Sequence, residues 1–207
     1  QRPRTFDYDK ATDGLKQMLW GFFKKIVVAD SCAVGVENIF SNYSSMSGGL
    51  LFLGGVLFAF QIYGDFSGYS DIAIGTARLF GIDLMRNFNI PYFSRNISEF
   101  WSRWHISLTT WFRDYIYIPL GGNREGRLRT LRNTLIVFLV SGIWHGANWT
   151  FVCWGLYHAL LIIVFFLLGV RRQPKVVAAN SVLPSAKECI QMAVTFFLVV
   201  IGWIIFR

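Results

Sequence analysis

The feature that most constrains this chain is a run of 38 residues without a charged side chain, from 133 to 170. A helix that crosses the hydrocarbon layer of a bilayer needs about 20 mostly apolar residues, so this run is too long for one crossing. Two shorter uncharged runs cover 38–64 and 189–206. Runs of this length predict a membrane protein.

The overall composition supports the same class of protein. Of the 207 residues, 15% are charged and 54% are hydrophobic, whereas a soluble domain has about 25% charged residues. The aromatic content of 17% excludes a disordered chain. The net charge of +8 comes from Lys and Arg that alternate with apolar runs and lack a recognition motif. We therefore exclude nucleic acid as a partner and attribute the charge to loops beside a lipid bilayer.

Basic residues flank the 38-residue run on both sides. They are Arg124, Arg127, Arg129 and Arg132 before it, and Arg171, Arg172 and Lys175 after it. Cytoplasmic loops are enriched in Lys and Arg, so both ends of the run are predicted to face the cytoplasm. The run must then enter the membrane and return.

The best place for the return is 142–148, where glycines and polar residues interrupt the apolar sequence. The first arm, 133–144, is about 18 Å long as a helix, which passes the bilayer midplane without crossing the layer. The sequence therefore predicts a re-entrant hairpin with His145 deep in the membrane.

The rest of the chain is predicted to be helical as well. Residues 15–40 combine apolar residues with lysines, which is typical of a helix near the membrane interface and also fits a tilted or partial span. A membrane helix begins at Leu50 and continues into the polar sequence GDFSGYSD. Aromatic residues at spacings of three and four predict one amphipathic helix over 97–117. The last helix covers 188–206, after a loop at 171–187.

These elements predict an all-α, polytopic membrane protein with transmembrane, re-entrant and interfacial amphipathic helices. Residues 1–207 are predicted to form a single membrane domain, with a polar lead-in at 1–14. Because the sequence starts without Met and ends directly after an apolar run, we expect it to be an internal part of a longer protein.

The three histidines lie in apolar or aromatic sequence and are candidates for function. An ionisable side chain at membrane depth is costly and normally faces a polar cavity, which favours a functional role for His145. Asn148 offers an amide that can orient its imidazole. For His105, a site residue and a hydrogen-bonded helix contact are equally open. For His158, a core histidine bonded to a neighbouring helix is favoured.

A second polar group consists of Asp65, Asp71 and Arg78. Asp71 and Arg78 are two helical turns apart and can form a scaffold ion pair, because buried charges are usually paired. Alternatively, these residues line a hydrophilic path through the membrane. No sequence motif indicates a metal site, and the three cysteines are expected to be buried, small apolar side chains.

Three segments of the chain resemble the membrane-bound O-acyltransferase superfamily. They are QIYGDFSGYSDIAIGTARLFGI (61–82), NFNIPYFSRNISEFWSRWHISLTTWFRDYIYIPLGGNR (87–124) and SGIWHGANWTFVCWGLYHAL (141–160). The IPLGGNR sequence favours the branch of the alginate O-acetylation membrane proteins, with the D-alanyl transfer proteins of teichoic acids as more distant relatives. The resemblance implies a multi-span helical fold with a funnel in which an acyl group passes to a hydroxyl acceptor.

The resemblance also implies which residues form the site. The histidine of the W-H-G motif is His145, and the histidine of the F-W-x-R-W-H-x-S-L motif is His105. A neutral imidazole accepts a proton at physiological pH, so His145 is the candidate general base. His105 is the candidate to orient a substrate or to stabilise the carbonyl oxyanion.

No bound cofactor or metal is implied by the resemblance. The implied acyl donor is acetyl-CoA or another acyl thioester, and the implied acceptor is an exported polysaccharide or a periplasmic or extracellular acetyltransferase partner. The implied location is the bacterial inner membrane, which the chain crosses several times.

Other functions also fit the composition. In a transporter or channel, His145, Asp65 and Asp71 would form a proton or ion relay. A scaffold that recruits a separate transferase, and D-alanyl transfer to teichoic acid, are further alternatives. The W-H-G and R-W-H-I-S strings favour the acyltransferase over the transporter.

Overall fold

A computed structural model describes residues 6–170, 176–178 and 182–207 of the chain. Within these residues the protein is mainly helical and has no β-strand, which confirms the predicted all-α class. The α-helices there are α1 (Tyr8–Phe22), α2 (Asp30–Ser41), α3 (Gly48–Leu79), α4 (Ile97–Arg103), α5 (Ile106–Phe112), α6 (Arg127–His145), α7 (Trp149–Leu167) and α8 (Ala186–Phe206).

Shorter helical segments join some of these helices. Phe23–Ala29 and Arg113–Tyr117 are π-helical, and Tyr43–Ser45 and Pro91–Phe93 are 3-10 turns. The chain divides into two compact units, residues 1–87 and residues 88–207. The single membrane domain over 1–207 stays a prediction, and residues 1–5 of its polar lead-in lie outside the described residues.

In the first unit, α1 packs against α3 along a seam of glycines. A Cβ atom on Gly14 would lie 2.7 Å from the carbonyl oxygen of Gly75, and one on Gly21 would lie 2.7 Å from that of Gly68. Real Cβ atoms do not approach other atoms so closely, so only glycine permits this packing. Small residues at a helix interface let two backbones come together in this way. The interfacial segment predicted over 15–40 is therefore helical, and part of it is covered by α3.

Three of the described helices are long and apolar enough to cross a membrane: α3, α7 and α8. They correspond to the three uncharged runs of the sequence. The capping box of Ser185 and Glu188 starts α8 at Ala186, two residues earlier than predicted. Of the predicted loop, 171–175 and 179–181 lie outside the described residues, and Val176 and Ala178 lie in bends and turns.

In the second unit, α6 and α7 form the predicted helical hairpin. The return lies at 146–148, inside the predicted range of 142–148. Gly142 of α6 sits so close to α7 that a Cβ atom there would lie 3.1 Å from the carbonyl carbon of Phe151. Since α7 has 19 residues, this arm is long enough to span the hydrocarbon layer. The depth of His145 in the membrane stays a prediction.

The single amphipathic helix predicted over 97–117 is wrong. The helix breaks after Arg103, because His105 adopts a left-handed conformation with φ 45° and ψ 55°. The aromatic spacing of three and four continues through this break, so periodicity by itself did not reveal it. The residues before and after Trp104 therefore do not belong to one continuous helix.

The helix before the break is held by buried ion pairs. Arg95, whose side chain is 2% exposed, contacts the carboxylates of Glu99 at 2.9 Å and Glu188 at 2.8 Å. Arg103 also contacts Glu99, at 2.6 Å. Buried charges with several hydrogen-bonded partners define one arrangement of the chain. This network fixes α4 against the start of α8.

Candidate functional site

His145 is the last residue of α6 and lies in an aromatic environment. The centre of its ring is 5.2 Å from the indole of Trp154 and 5.1 Å from the ring of Phe206, both in edge-to-face contact. Trp144 and Phe151 add further ring contacts at 5.0 Å and 6.1 Å. His145 is classed as exposed in this chain. Aromatic side chains therefore pack against its ring, while part of the residue stays accessible to another molecule.

His105 lies near His145, although the two are 40 residues apart in sequence. Burial lowers the pKa of His105 to about 4, and the charge of His145 lowers this pKa as well. The imidazole of His105 is therefore neutral at pH 7 and carries one N–H donor. The histidines of the W-H-G and R-W-H-I-S motifs are thus close enough to interact electrostatically.

The left-handed backbone of His105 is imposed by the residues on both sides. The N–H of Asn89 donates to the carbonyl oxygen of Arg103 at 2.9 Å, which fixes the end of α4. On the other side, the Thr109 hydroxyl donates to the Trp104 carbonyl at 3.2 Å. A non-glycine residue in this conformation costs of order 1–3 kcal/mol and is found disproportionately at functional sites. Sequence reasoning missed this feature because no glycine marks the break.

His158 lies in α7 and is 0% exposed. Its ring packs edge-to-face against Trp101 at 4.9 Å and Trp154 at 5.2 Å. Among the described residues, neither of its nitrogens has a hydrogen-bond partner, and the same holds for the indole nitrogens of Trp101, Trp154 and Trp203. The helix-to-helix hydrogen bond expected for His158 is therefore not found there. Through Trp154, His158 belongs to the same aromatic cluster as His145.

Asn148 has a local role in the structure. It precedes α7, and its side-chain oxygen accepts a hydrogen bond from the backbone N–H of Thr150 at 3.1 Å. Asparagine at this position satisfies a backbone donor of the first helical turn. The predicted contact of Asn148 with the imidazole of His145 stays a prediction.

Asp65, Asp71 and Arg78 all lie on α3 in the first unit. The predicted pair of Asp71 with Arg78 is wrong, because each bonds to residues of α1 or of the π-helical segment Phe23–Ala29. Asp71 contacts Lys24 at 2.5 Å and accepts a hydrogen bond from Gln17 at 2.9 Å. These long side chains reach Asp71 across the glycine seam, where the backbones are close together.

The other two residues are paired in the same way. Arg78 contacts Asp13, and Asp65 contacts Lys25 at 2.7 Å. Sequence reasoning missed the lysines as partners. The signal was present, since two lysines inside one apolar helix and two aspartates inside another are each costly without an opposite charge.

The sequence indicates no metal site and predicts three buried cysteines. Within the described residues, no group of three His, Cys, Asp or Glu side chains is close enough to hold a metal ion. The expectation of three buried cysteines is wrong, because Cys153 and Cys189 are exposed in the chain and Cys32 is half-buried. Both exposed thiols lie on apolar helices.

Comparison with known proteins identifies the family. The family model of the membrane-bound O-acyltransferases (MBOAT) matches residues 17–183. The chain belongs to this family. The match covers both histidine motifs and most of the helices, so the resemblance seen in the sequence is confirmed.

Several relatives carry more specific names. Over 99% of its length, the chain is 43% identical to the probable alginate O-acetylase AlgI of Pseudomonas aeruginosa, of which it covers 37%. It is 47% identical to the peptidoglycan O-acetyltransferase of Helicobacter pylori over 70% of the chain and 27% of that protein. It is 31% identical to the teichoic acid D-alanyltransferase of Bacillus subtilis over 72% of the chain and 40% of that protein. The chain thus spans about two fifths or less of these relatives.

Proposed function

We propose that this chain is the catalytic part of a membrane-embedded O-acyltransferase that modifies an exported or cell-surface polysaccharide. The observation that carries the proposal is the proximity of His105 to His145, which come from two separate family motifs, with the ring of His145 packed among aromatic side chains. Membership of the MBOAT family and the names of the relatives support the same reaction class.

In the proposed reaction, the acceptor hydroxyl oxygen attacks the carbonyl carbon of an acyl thioester. His145 accepts the hydroxyl proton as the new C–O bond forms. The tetrahedral intermediate then expels the thiolate, which takes the proton from His145. The products are an ester and a free thiol, and the imidazole returns to its neutral form.

His105 has a different role in this proposal. A general base works best when its pKa lies near the operating pH, and a pKa of about 4 makes His105 a weak base. Its neutral imidazole is instead suited to donate a hydrogen bond to the carbonyl oxygen, on which negative charge develops. The two histidines thus divide proton transfer and oxyanion stabilisation between them.

The proposed acyl group is acetyl, and the proposed donor is acetyl-CoA or another acyl thioester. The relatives named as O-acetylase and O-acetyltransferase are 43–47% identical, whereas the D-alanyltransferase is 31% identical, which favours acetyl over D-alanyl. The proposed acceptor is an exported polysaccharide or a periplasmic acetyltransferase partner, and the proposed location is the bacterial inner membrane.

A transporter or channel with a relay of His145, Asp65 and Asp71 is the alternative. A relay needs carboxylates that can bind and release a proton or ion. Asp65 and Asp71 are instead engaged by Lys25 and Lys24 at 2.7 Å and 2.5 Å. These ion pairs favour a scaffold role for the aspartates and weaken the relay.

The test replaces His145 in the full-length protein, expressed with its neighbouring genes. We expect His145→Ala to abolish O-acetylation of the polysaccharide, measured as ester-linked acetate per sugar, with unchanged protein in the membrane fraction. Cys153→Ala is the matched control, because this exposed residue lies on the adjacent helix α7 and has no role in the mechanism. Acetylation by the His145→Ala variant at the control level would remove His145 from the reaction.

A further inference from the structure

Four arginines cluster at the open end of the α6–α7 hairpin, away from His145. This arginine cluster consists of Arg124, Arg127, Arg129 and Arg132, all of which are exposed. The only acidic residue between 121 and 132 is Glu125, which forms an ion pair with Arg129. The surface is therefore strongly positive, and it contains no lysine.

The position of the cluster relative to the membrane follows from Arg127. Its guanidinium lies over the ring of Phe166 at 5.7 Å, and Phe166 is one residue from the end of α7. Because α7 is a candidate membrane span, its end marks the boundary of the hydrocarbon layer. The guanidinium group of Arg127 at this level lies where the phosphates of lipid headgroups are found.

The loop that carries the cluster is held in one conformation. Asn133 is 0% exposed, and its side-chain nitrogen donates to the carbonyl oxygens of Leu120 and Gly122, each at 3.0 Å. Arg132 donates to the side-chain oxygen of Asn133 at 2.9 Å. Holding the backbone in place lowers the entropy that is lost when a ligand binds.

The choice of arginine indicates more than membrane orientation. Lysine satisfies the positive-inside preference equally well, whereas the planar guanidinium can make two parallel hydrogen bonds to a phosphate. Arg129 is bonded to Glu125, and Arg132 is bonded to Asn133. Both arginines thus have partners within the same segment of the chain. Among the described residues, Arg124 and Arg127 have no carboxylate partner.

We propose that the arginine cluster binds the phosphate of an anionic membrane lipid. Arg124 and Arg127 contact the phosphate, while Arg129 and Arg132 hold the loop that presents them. This lipid site is separate from the proposed acyl transfer and does not depend on it. Its function is to fix the basic end of the hairpin in the headgroup layer.

The experiment uses the full-length protein in nanodiscs of phosphatidylcholine, with and without added phosphatidylglycerol. We expect the anionic lipid to raise the midpoint of thermal unfolding. In the double variant Arg124→Lys/Arg127→Lys, which keeps the charge and hence the membrane orientation, most of this upward shift should be lost. The matched control is Arg113→Lys, because Arg113 is paired with Asp114 outside the cluster and should keep the full shift.

Three outcomes would overturn the proposal. An equal shift in the double lysine variant would show that charge without guanidinium geometry is sufficient. The absence of any shift with the anionic lipid would show that no such site exists. An equal shift from inorganic phosphate added to phosphatidylcholine nanodiscs would identify a free anion, and not a lipid, as the ligand.

Discussion

Both units of this protein have polar side chains on apolar helices, but the surroundings of these side chains differ. In the unit of residues 1–87, Asp65, Asp71 and Arg78 each bond to an opposite charge on α1 or on Phe23–Ala29. In the unit of residues 88–207, His145 and His158 are surrounded by aromatic rings. The ion pairs satisfy these charges of the first unit within the chain, as they do for Arg95 in the second unit, whereas the ring nitrogens of His158 have no hydrogen-bond partner among the described residues.

This difference helps to distinguish residues that stabilise the fold from residues of the candidate functional site. Paired charges stabilise a helix contact only when both partners are present, so their residue types are explained by folding. A buried nitrogen without a partner costs of order 1–3 kcal/mol and therefore needs a different explanation. His158 and the indoles near it fall into the second group. In the second unit, the buried nitrogens without a partner thus lie in the aromatic cluster that contains His145.

The largest effect is expected from breaking the pair of Lys24 and Asp71. Their side chains are 13% and 22% exposed, so Asp71→Leu leaves a largely buried ammonium and should lower the free energy of unfolding by about 3–5 kcal/mol. Replacing both, as in Lys24→Met/Asp71→Leu, should recover most of this loss. Chemical denaturation in detergent measures both variants. A double variant as unstable as the single one would contradict the scaffold role.

A somewhat smaller effect is expected at His105, on activity. His105→Gly removes the proposed oxyanion donor and should lower the acyl-transfer rate about 10²–10³-fold. The same change relieves the left-handed backbone at φ 45° and should raise stability by about 1 kcal/mol. Acetylation and thermal unfolding are measured together, because a purely structural residue would not lose activity while gaining stability.

The control for His105 is Ile90, which is left-handed at φ 47° in the same unit. Ile90→Gly should raise stability by a similar amount without changing the rate of transfer. A His105→Gly protein that is less stable than His105→Ala would show that the left-handed backbone is not strained.

The smallest effect is expected along the glycine seam. Gly68→Ala adds a Cβ atom 2.7 Å from the carbonyl oxygen of Gly21, so the two helices must separate at a cost of about 1–3 kcal/mol. Gly49→Ala is the matched control in the same helix, since a Cβ atom there has no neighbour within 4 Å. Equal stability of the two variants, measured by thermal unfolding, would show that the seam is not tightly packed.

Much of the fold was predictable from the spacing of charges and apolar residues. The uncharged runs predicted the hairpin of α6 and α7 and the last helix, because length and hydropathy are properties of a continuous segment. The break at His105 was not predictable in this way. It is accompanied by a hydrogen bond from Asn89 to the carbonyl oxygen of Arg103, and Asn89 lies outside the helix.

For the candidate site, too, some features were predictable from the sequence and others were not. The sequence by itself determined the helical membrane class, the family and the two histidine motifs, because these depend on residue types at fixed spacings. The cap that Asn148 forms on α7 is also local, since it joins Asn148 to Thr150. Only the tertiary structure decided that His105 approaches His145 and that Asp71 bonds to Lys24. Each of these contacts depends on how close two backbones come, and that distance is set by packing between helices far apart in sequence.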